Sequence, residues 1–269
     1  MKLNEFYQIA DEIAPKALSD EFCKQVNGYD NSGVLVDTGD EINAVLFSLD
    51  LSNSAIEKAI DYKVKLIVTH HPAIYGGQDK IRVSDFQPLG EKLVKCIKNG
   101  ISVISMHLNL DCADGGTDES LKEGIEKAAG GEKGETLAVM HSLSNGGYGR
   151  AYGVKATTLG TLAKAMEAEF NTSRIITYGK AQKPVEKVAS FCGAGGDERA
   201  VQFALEQGAD VIVSADFKHH ILLLAKENGL NAVVLTHYCA EQYGFEKFYK
   251  KIRQSIDLPC SLCTDDSLL

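Results

Sequence analysis

No stretch of this 269-residue chain approaches the roughly 18 consecutive apolar residues that a membrane-crossing helix needs. The first residues, MKLNEFYQIADEIAPKAL, have neither the basic start nor the unbroken apolar core of a secretory signal. They read as an amphipathic helix with acidic residues, which predicts a cytoplasmic protein. Concentrated positive charge is also missing. The formal net charge is −9, and the short run Lys247, Lys250, Lys251 and Arg253 reads as a solvated helix face. Nucleic acid is therefore not expected as a partner, because phosphate binding depends on clustered cations. The same balance speaks against a ring that encircles nucleic acid, which needs a positive inner surface, and it suits a protein that gathers cations.

Cysteine is present in an odd number, seven, and five of them, Cys23, Cys96, Cys112, Cys192 and Cys239, stand singly. That pattern argues against a disulfide framework. Cys260 and Cys263 form a lone C-x-x-C; with no second pair it reads as two thiols rather than a structural zinc site. Neither a G-x-S-x-G elbow nor a phosphate-binding P-loop is present. Proline is scarce, at 5 residues, and the 44% hydrophobic content is that of a globular protein able to bury a core.

What is present is a succession of short apolar runs of the kind that form buried parallel strands: Ile42–Leu49, Val64–Val68, Ile101–Ile104, Val188–Phe191, Val211–Val213 and Ala232–Leu235. Helical patterns separate them. Ser54 and Glu57 have the spacing of a capping box for a helix running through Ile60. Leu89, Leu93, Cys96 and Ile97 make an apolar stripe that Gly100 ends. Asp216 is placed to cap a helix carrying Phe217, Ile221 and Leu224, with Gly229 beyond it. Phe245, Phe248, Tyr249 and Ile252 stripe the last helix. Alternating strands and helices predict an α/β fold with largely parallel or mixed sheets. An internal echo, "IEKAIDYKVKLIVTHH" against "VQFALEQGADVIVSAD", and the glycine-rich segments Gly130–Gly134 and Asn145–Gly149, predict two similar α/β lobes. The expected division is 1–130 and 131–269, with the C-terminal helix completing a site between the lobes at the strand C-terminal ends.

Chemistry collects where four of these strands end, the place at which open α/β sheets hold ligands. The second run leads into Thr69-His70-His71-Pro72, and the third into His107-Leu-Asn109-Leu-Asp111. The fifth leads into Ser214-Ala-Asp216 with His219 and His220, and the sixth into Thr236-His237 with Glu241. Six of the seven histidines lie in these four places, His141 alone lying elsewhere. Adjacent strand residues face opposite ways, so His70 and His71 reach one site only if the strand stops there, as Pro72 favours; otherwise they serve two different metals. His237 and Glu241, at i and i+4, share a helix face and fit either a ligand pair or a simple ion pair. Imidazoles with carboxylates suit zinc, iron or manganese, with zinc bonds of roughly 2.0–2.2 Å. Such a set can hold two ions about 3.5–4 Å apart, bridged by a carboxylate such as Asp111 or Glu241. The loop Gly193-Ala-Gly195-Gly196 before Asp197 fits a phosphate cradle or, more simply, a tight strand-to-helix turn.

These residues resemble the GTP cyclohydrolase 1 type 2 homolog family, also called NGG1-interacting-factor-three-like dinuclear-metal proteins. The motifs run along nearly the whole chain: Asp30-Asn31-Ser-Gly33, Thr69–Pro72, His107–Asp111 with Gly115-Gly116, Gly149-Arg150, Gly193–Gly196, Asp216–His220 and His237–Glu241. The resemblance implies that His70, His71, Asp111, His237 and Glu241 bind two divalent ions. It places His107 and His220 beside that site, where either can shuttle a proton. It also implies a homohexameric ring with its metal sites facing an internal cavity, and no inserted domain between the lobes. Departures from the family pattern fall at Thr236, Ala240, Ser214-Ala215 and Thr117, none of them a proposed ligand. The expected function is hydrolysis of a small, nucleotide-like molecule at two metals. The alternative is a non-enzymatic protein that binds or delivers metal, or regulates a partner.

Overall fold

The computed structural model describes residues 1–75, 81–83, 89–131, 134–265 and 267–268. Glu132 and Lys133, within the glycine-rich segment near 130, lie outside the described residues. The chain forms two compact units, residues 1–113 with 245–264, and residues 114–244 with 265–269.

The first unit opens with α1 (Leu3–Ile13) and α2 (Lys16–Val26), then β1 (Gly33–Val36), β2 (Val45–Ser48), α3 (Asn53–Asp61), β3 (Leu66–Thr69), α4 (Leu89–Lys98), β4 (Ser102–Ser105) and α5 (Leu108–Cys112). The second contains α6 (Thr117–Ala128), β5 (Thr136–Ser142), β6 (Gly147–Thr158), α7 (Leu159–Glu169), β7 (Ile176–Tyr178), β8 (Pro184–Ser190), α8 (Glu198–Glu206), β9 (Val211–Ser214), α9 (His219–Glu227) and β10 (Asn231–Val234). Helix α10 (His237–Ser255) belongs to the second unit through Gly244 and to the first from Phe245, and the chain then adds β11 (Cys260–Cys263) to the first unit.

The first sheet has the order β1-β4-β3-β2-β11, and the second β5-β6-β8-β9-β10-β7. Strands β2, β3 and β4 run parallel, as do β8, β9 and β10. Each trio carries an antiparallel strand on its last member, β1 on β4 and β7 on β10. In each unit the trio is joined strand–helix–strand–helix–strand and followed by a helix, so the sequence echo corresponds to the same α/β step in both: α3–β3 and α8–β9. The inner strands β2, β3, β4 and β9 are buried at every residue. Helices cover both faces of such strands, which is why they read as unbroken apolar runs.

Two helix starts differ from the sequence reading. The cap of α3 is Ser52, whose Oγ accepts the Ala55 N–H at 3.1 Å; Ser54 lies inside the helix. Helix α9 begins at His219 after Lys218, and Asp216 sits before it in the left-handed region at φ 46°, with its side chain used elsewhere. The expected stops hold, with Gly100 (φ 61°) after α4 and Gly229 (φ 77°) after α9. The Asn145–Gly149 segment spans the end of the β5–β6 hairpin turn, where the Leu143 N–H donates to the Gly146 carbonyl, and the first residues of β6. Phe245, Phe248 and Ile252 of α10 are buried, and Phe47 of β2 stacks against Phe245, Phe248 and Tyr249 at 5.3–6.2 Å. No helix among the described residues is long and apolar enough to cross a membrane.

Candidate metal centre

In the first unit, β3 ends at Thr69, and both the His70 and His71 N–H groups turn to the Leu49 carbonyl, at 3.1 and 3.0 Å. Ladder pairing stops there, so the two rings are no longer held to opposite faces; their centroids are 5.0 Å apart. His107, just past the end of the neighbouring β4, lies 5.2 Å from His70 and 5.8 Å from His71, ring to ring. Ring nitrogens of the three all fall within 4.8 Å of one another. Asp111, four residues after His107 and 4% exposed, brings Oδ1 to 3.4 Å from His70 Nε2.

In the second unit the same spacing recurs. His237 opens α10 just past β10, and Glu241 stands one turn later, 3% exposed, with Oε1 2.9 Å from His237 Nε2. A His followed at i+4 by a carboxylate therefore comes after the third parallel strand of each unit, His107/Asp111 in one and His237/Glu241 in the other. Gly193, in the left-handed region at φ 58°, lies against this pair; a Cβ there would stand 2.3 Å from Glu241 Oε1.

The other nitrogen of each ring decides what these clusters can do. His70 Nδ1 lies 2.7 Å from the Met106 carbonyl, which can only accept, so that nitrogen carries the proton. His71 Nδ1 faces Asp50 Oδ1 at 2.8 Å, His107 Nδ1 faces Asp30 Oδ1 at 2.7 Å, and His237 Nδ1 faces Asp216 Oδ2 at 2.5 Å. With Nδ1 donating, a neutral imidazole presents Nε2 as a bare lone pair, the tautomer and orientation that a metal-binding histidine needs. The His70 and His237 lone pairs then confront carboxylate oxygens, an arrangement that repels unless a cation lies between. Protonated imidazoles would also satisfy it, but His70 is 0% exposed, where an organic cation is costly to desolvate. The donor set of the first unit thus fits a divalent cation, and His237 with Glu241 offers two more donors of the same kind.

The carboxylates behind the rings are themselves held. Asp30 Oδ2 accepts from the Ser19 and Ser32 hydroxyls at 2.6 and 2.5 Å, and Ser32 Oγ accepts the His107 N–H at 3.1 Å. Burial by itself would raise the Asp30 carboxyl, but the His107 and serine hydrogen bonds outweigh it and hold that carboxyl well below the usual carboxylate range.

Of the residues singled out in the sequence, His70, His71, His107 and Asp111 come together in the first unit, and His237 with Glu241 in the second. His220 is exposed in the first turn of α9 and lines a cleft with Asp216. Asp50 was not singled out, and Asp30 and Asp216 were not read as ring holders. Asp50 has the signal the ligands have, lying just past the C-terminal end of a parallel strand, β2.

Comparison with known proteins agrees over the whole length. A family model described as Duf34/NIF3 (NGG1p interacting factor 3) matches residues 1–264. A Clostridium perfringens protein named GTP cyclohydrolase 1 type 2 homolog is 29% identical over 259 residues, which cover 96% of this chain and 93% of that one. A protein of the same name from Methanocaldococcus jannaschii is 30% identical over 263 residues, covering 96% and 97%. Among solved structures, the Staphylococcus aureus hypothetical protein SA1388 superposes with a TM-score of 0.81 at 22% identity, covering 98% of this chain and 97% of that one. At that identity the likeness is one of fold.

Proposed function

The chain belongs to the Duf34/NIF3 family, and from that footing we propose that it is a metal-dependent hydrolase of a small, nucleotide-like molecule. His70, His71, Asp111, His237 and Glu241 hold about two divalent ions of zinc, iron or manganese type. The observation that carries this reading is the shared state of four histidines at strand ends, each with Nδ1 on an oxygen acceptor, which makes Nε2 the nitrogen that would meet a cation. When bound, such ions supply polarisation of the scissile bond and a water acidic enough to attack near neutral pH.

The protein's own groups do the rest. Asp50, Asp30 and Asp216 fix the tautomer and orientation of the rings. His107, backed by Asp30 and close to His70 and His71, stands ready to hold or pass a proton, and His220, in the first turn of α9, is the other imidazole we assign that role. The nucleotide-like substrate is supported by the name that the Clostridium and Methanocaldococcus relatives carry. We take the working assembly to be a homohexamer, which native mass spectrometry reads directly.

The test is metal content per chain by elemental mass spectrometry on wild type, His71→Ala and Glu241→Ala. About two ions in wild type and fewer in both variants are expected. Metal-loaded protein is then offered GTP and a panel of phosphoesters and cyclic amides. Turnover that falls with metal loss supports the hydrolase. Full metal occupancy without turnover of any compound replaces it with a metal-binding or metal-delivery role, and a wild type that takes up no metal removes both.

A further inference from the structure

The second unit holds a cleft of about 550 Å³ that no proposed metal ligand lines. Its walls come from two loops at the C-terminal ends of adjacent parallel strands, β8 and β9, and from the helix starts that follow them. Gly196, Asp197 and Arg199 stand on one side, and Asp216, Lys218 and His220 on the other. The loops close tightly because Gly196 has no side chain; a Cβ there would meet the Phe217 ring at 2.6 Å.

Charge in the cleft is unevenly committed. Asp197 Oδ1 accepts the Ala200 N–H at 2.8 Å and caps α8, while Asp216 Oδ2 accepts from His237. Arg199 and Lys218 are exposed and have no ion-pair or hydrogen-bond partner among the described residues. Of the carboxylates in the lining, Glu198 alone has none either. Two unpaired cations of different geometry, a guanidinium fork and a mobile ammonium, with an imidazole beside them, are therefore gathered over a glycine turn in a chain of net charge −9. That combination matches the oxygens of a phosphate group, which accepts several charge-assisted hydrogen bonds at once. One wall, Asp216, is also the carboxylate that orients His237, so a ligand seated here lies one side chain away from a proposed metal ligand.

We infer that this cleft binds the phosphate group of the small molecule on which the metal centre acts, Arg199 and Lys218 being its main donors. The assignment of purpose rests on the metal-centre reading, whereas the binding itself does not. The experiment is calorimetric titration of the full chain with inorganic phosphate at constant ionic strength. It compares wild type, Arg199→Ala/Lys218→Ala and His71→Ala, with metal content measured on the same samples. Wild type and His71→Ala are expected to bind phosphate alike, and the double variant at least tenfold more weakly with its metal content unchanged. Both substituted cationic side chains are exposed, so the variant should fold, and circular dichroism checks that it does. Phosphate binding that survives in the double variant, that disappears in His71→Ala, or that is absent from wild type overturns the inference. A metal-free wild type that still binds phosphate through Arg199 and Lys218 sinks the hydrolase reading and leaves the cleft standing.

Discussion

At the scale of single residues, the second unit's proposed ligands depend on two positions beside them, Asp216 and Gly193. Asp216 holds the His237 ring through Nδ1 while itself in a left-handed backbone conformation, φ 46°. Asn tolerates that conformation and still accepts the hydrogen bond, so Asp216→Asn removes charge with little else. Loss of the partner's charge should weaken metal binding by about tenfold, read by competition with a chromogenic chelator, with the melting temperature little moved. Gly193 acts by absence. Gly193→Ala should cost about 1–2 kcal/mol from its positive φ, and its Cβ, 2.3 Å from Glu241 Oε1, should push that carboxylate aside and lower metal content. The histidines themselves were legible because each ends an apolar run. Asp216 was not legible in the same way, because an Asp a few residues before an apolar helical pattern reads equally well as a helix cap. Only the ring it faces, brought from 21 residues further along the chain, tells the two apart.

At the scale of elements, the parallel trios were readable and their antiparallel additions were not. Strands β2, β3, β4 and β9 are buried at every position, so hydrophobicity alone marks them. Strand β7 is exposed at every residue, and β5 is exposed or half-buried throughout, so neither offers the alternation or the continuous run that a strand is recognised by. The start of α3 shows a finer ambiguity. Ser52 and Ser54 both precede apolar helical residues, and the Ser54/Glu57 spacing imitates a capping box, yet the Ser52 Oγ takes the Ala55 N–H. Ser52→Ala should therefore lower stability by about 1 kcal/mol in urea titration, and Ser54→Ala by much less. Equal losses would place the cap wrongly.

At the scale of the whole molecule, the repeated strand–helix–strand–helix–strand order supplies each unit with a His and a carboxylate one helical turn apart. Duplicated architecture thereby yields duplicated candidate ligands. The second unit carries in addition a buried tie. Asp118 of α6, 0% exposed, accepts from the Arg150 guanidinium and the Gly149 N–H on β6, and from the Cys192 N–H past the end of β8. One carboxylate thus joins a helix, a strand and the loop that leads to Gly193. Burial pushes the Asp118 carboxyl up, and Arg150 with the two backbone N–H groups pulls it back. Arg150→Met keeps most of the volume and leaves the carboxylate without its countercharge, which should cost about 3–5 kcal/mol near neutral pH. Even with Arg150 in place the upward push prevails, so the folded-state pKa of Asp118 stands above its unfolded value, and removing Arg150 raises it further. The protonated, folded form then gains as pH falls, and its advantage is lost as pH rises through the raised pKa. Arg150→Met should accordingly recover part of its lost stability relative to wild type as the pH falls from neutral toward the ordinary carboxylate range, measured by denaturant titration at each pH. A deficit that stays constant across that range would mean that the arginine contributes packing rather than charge.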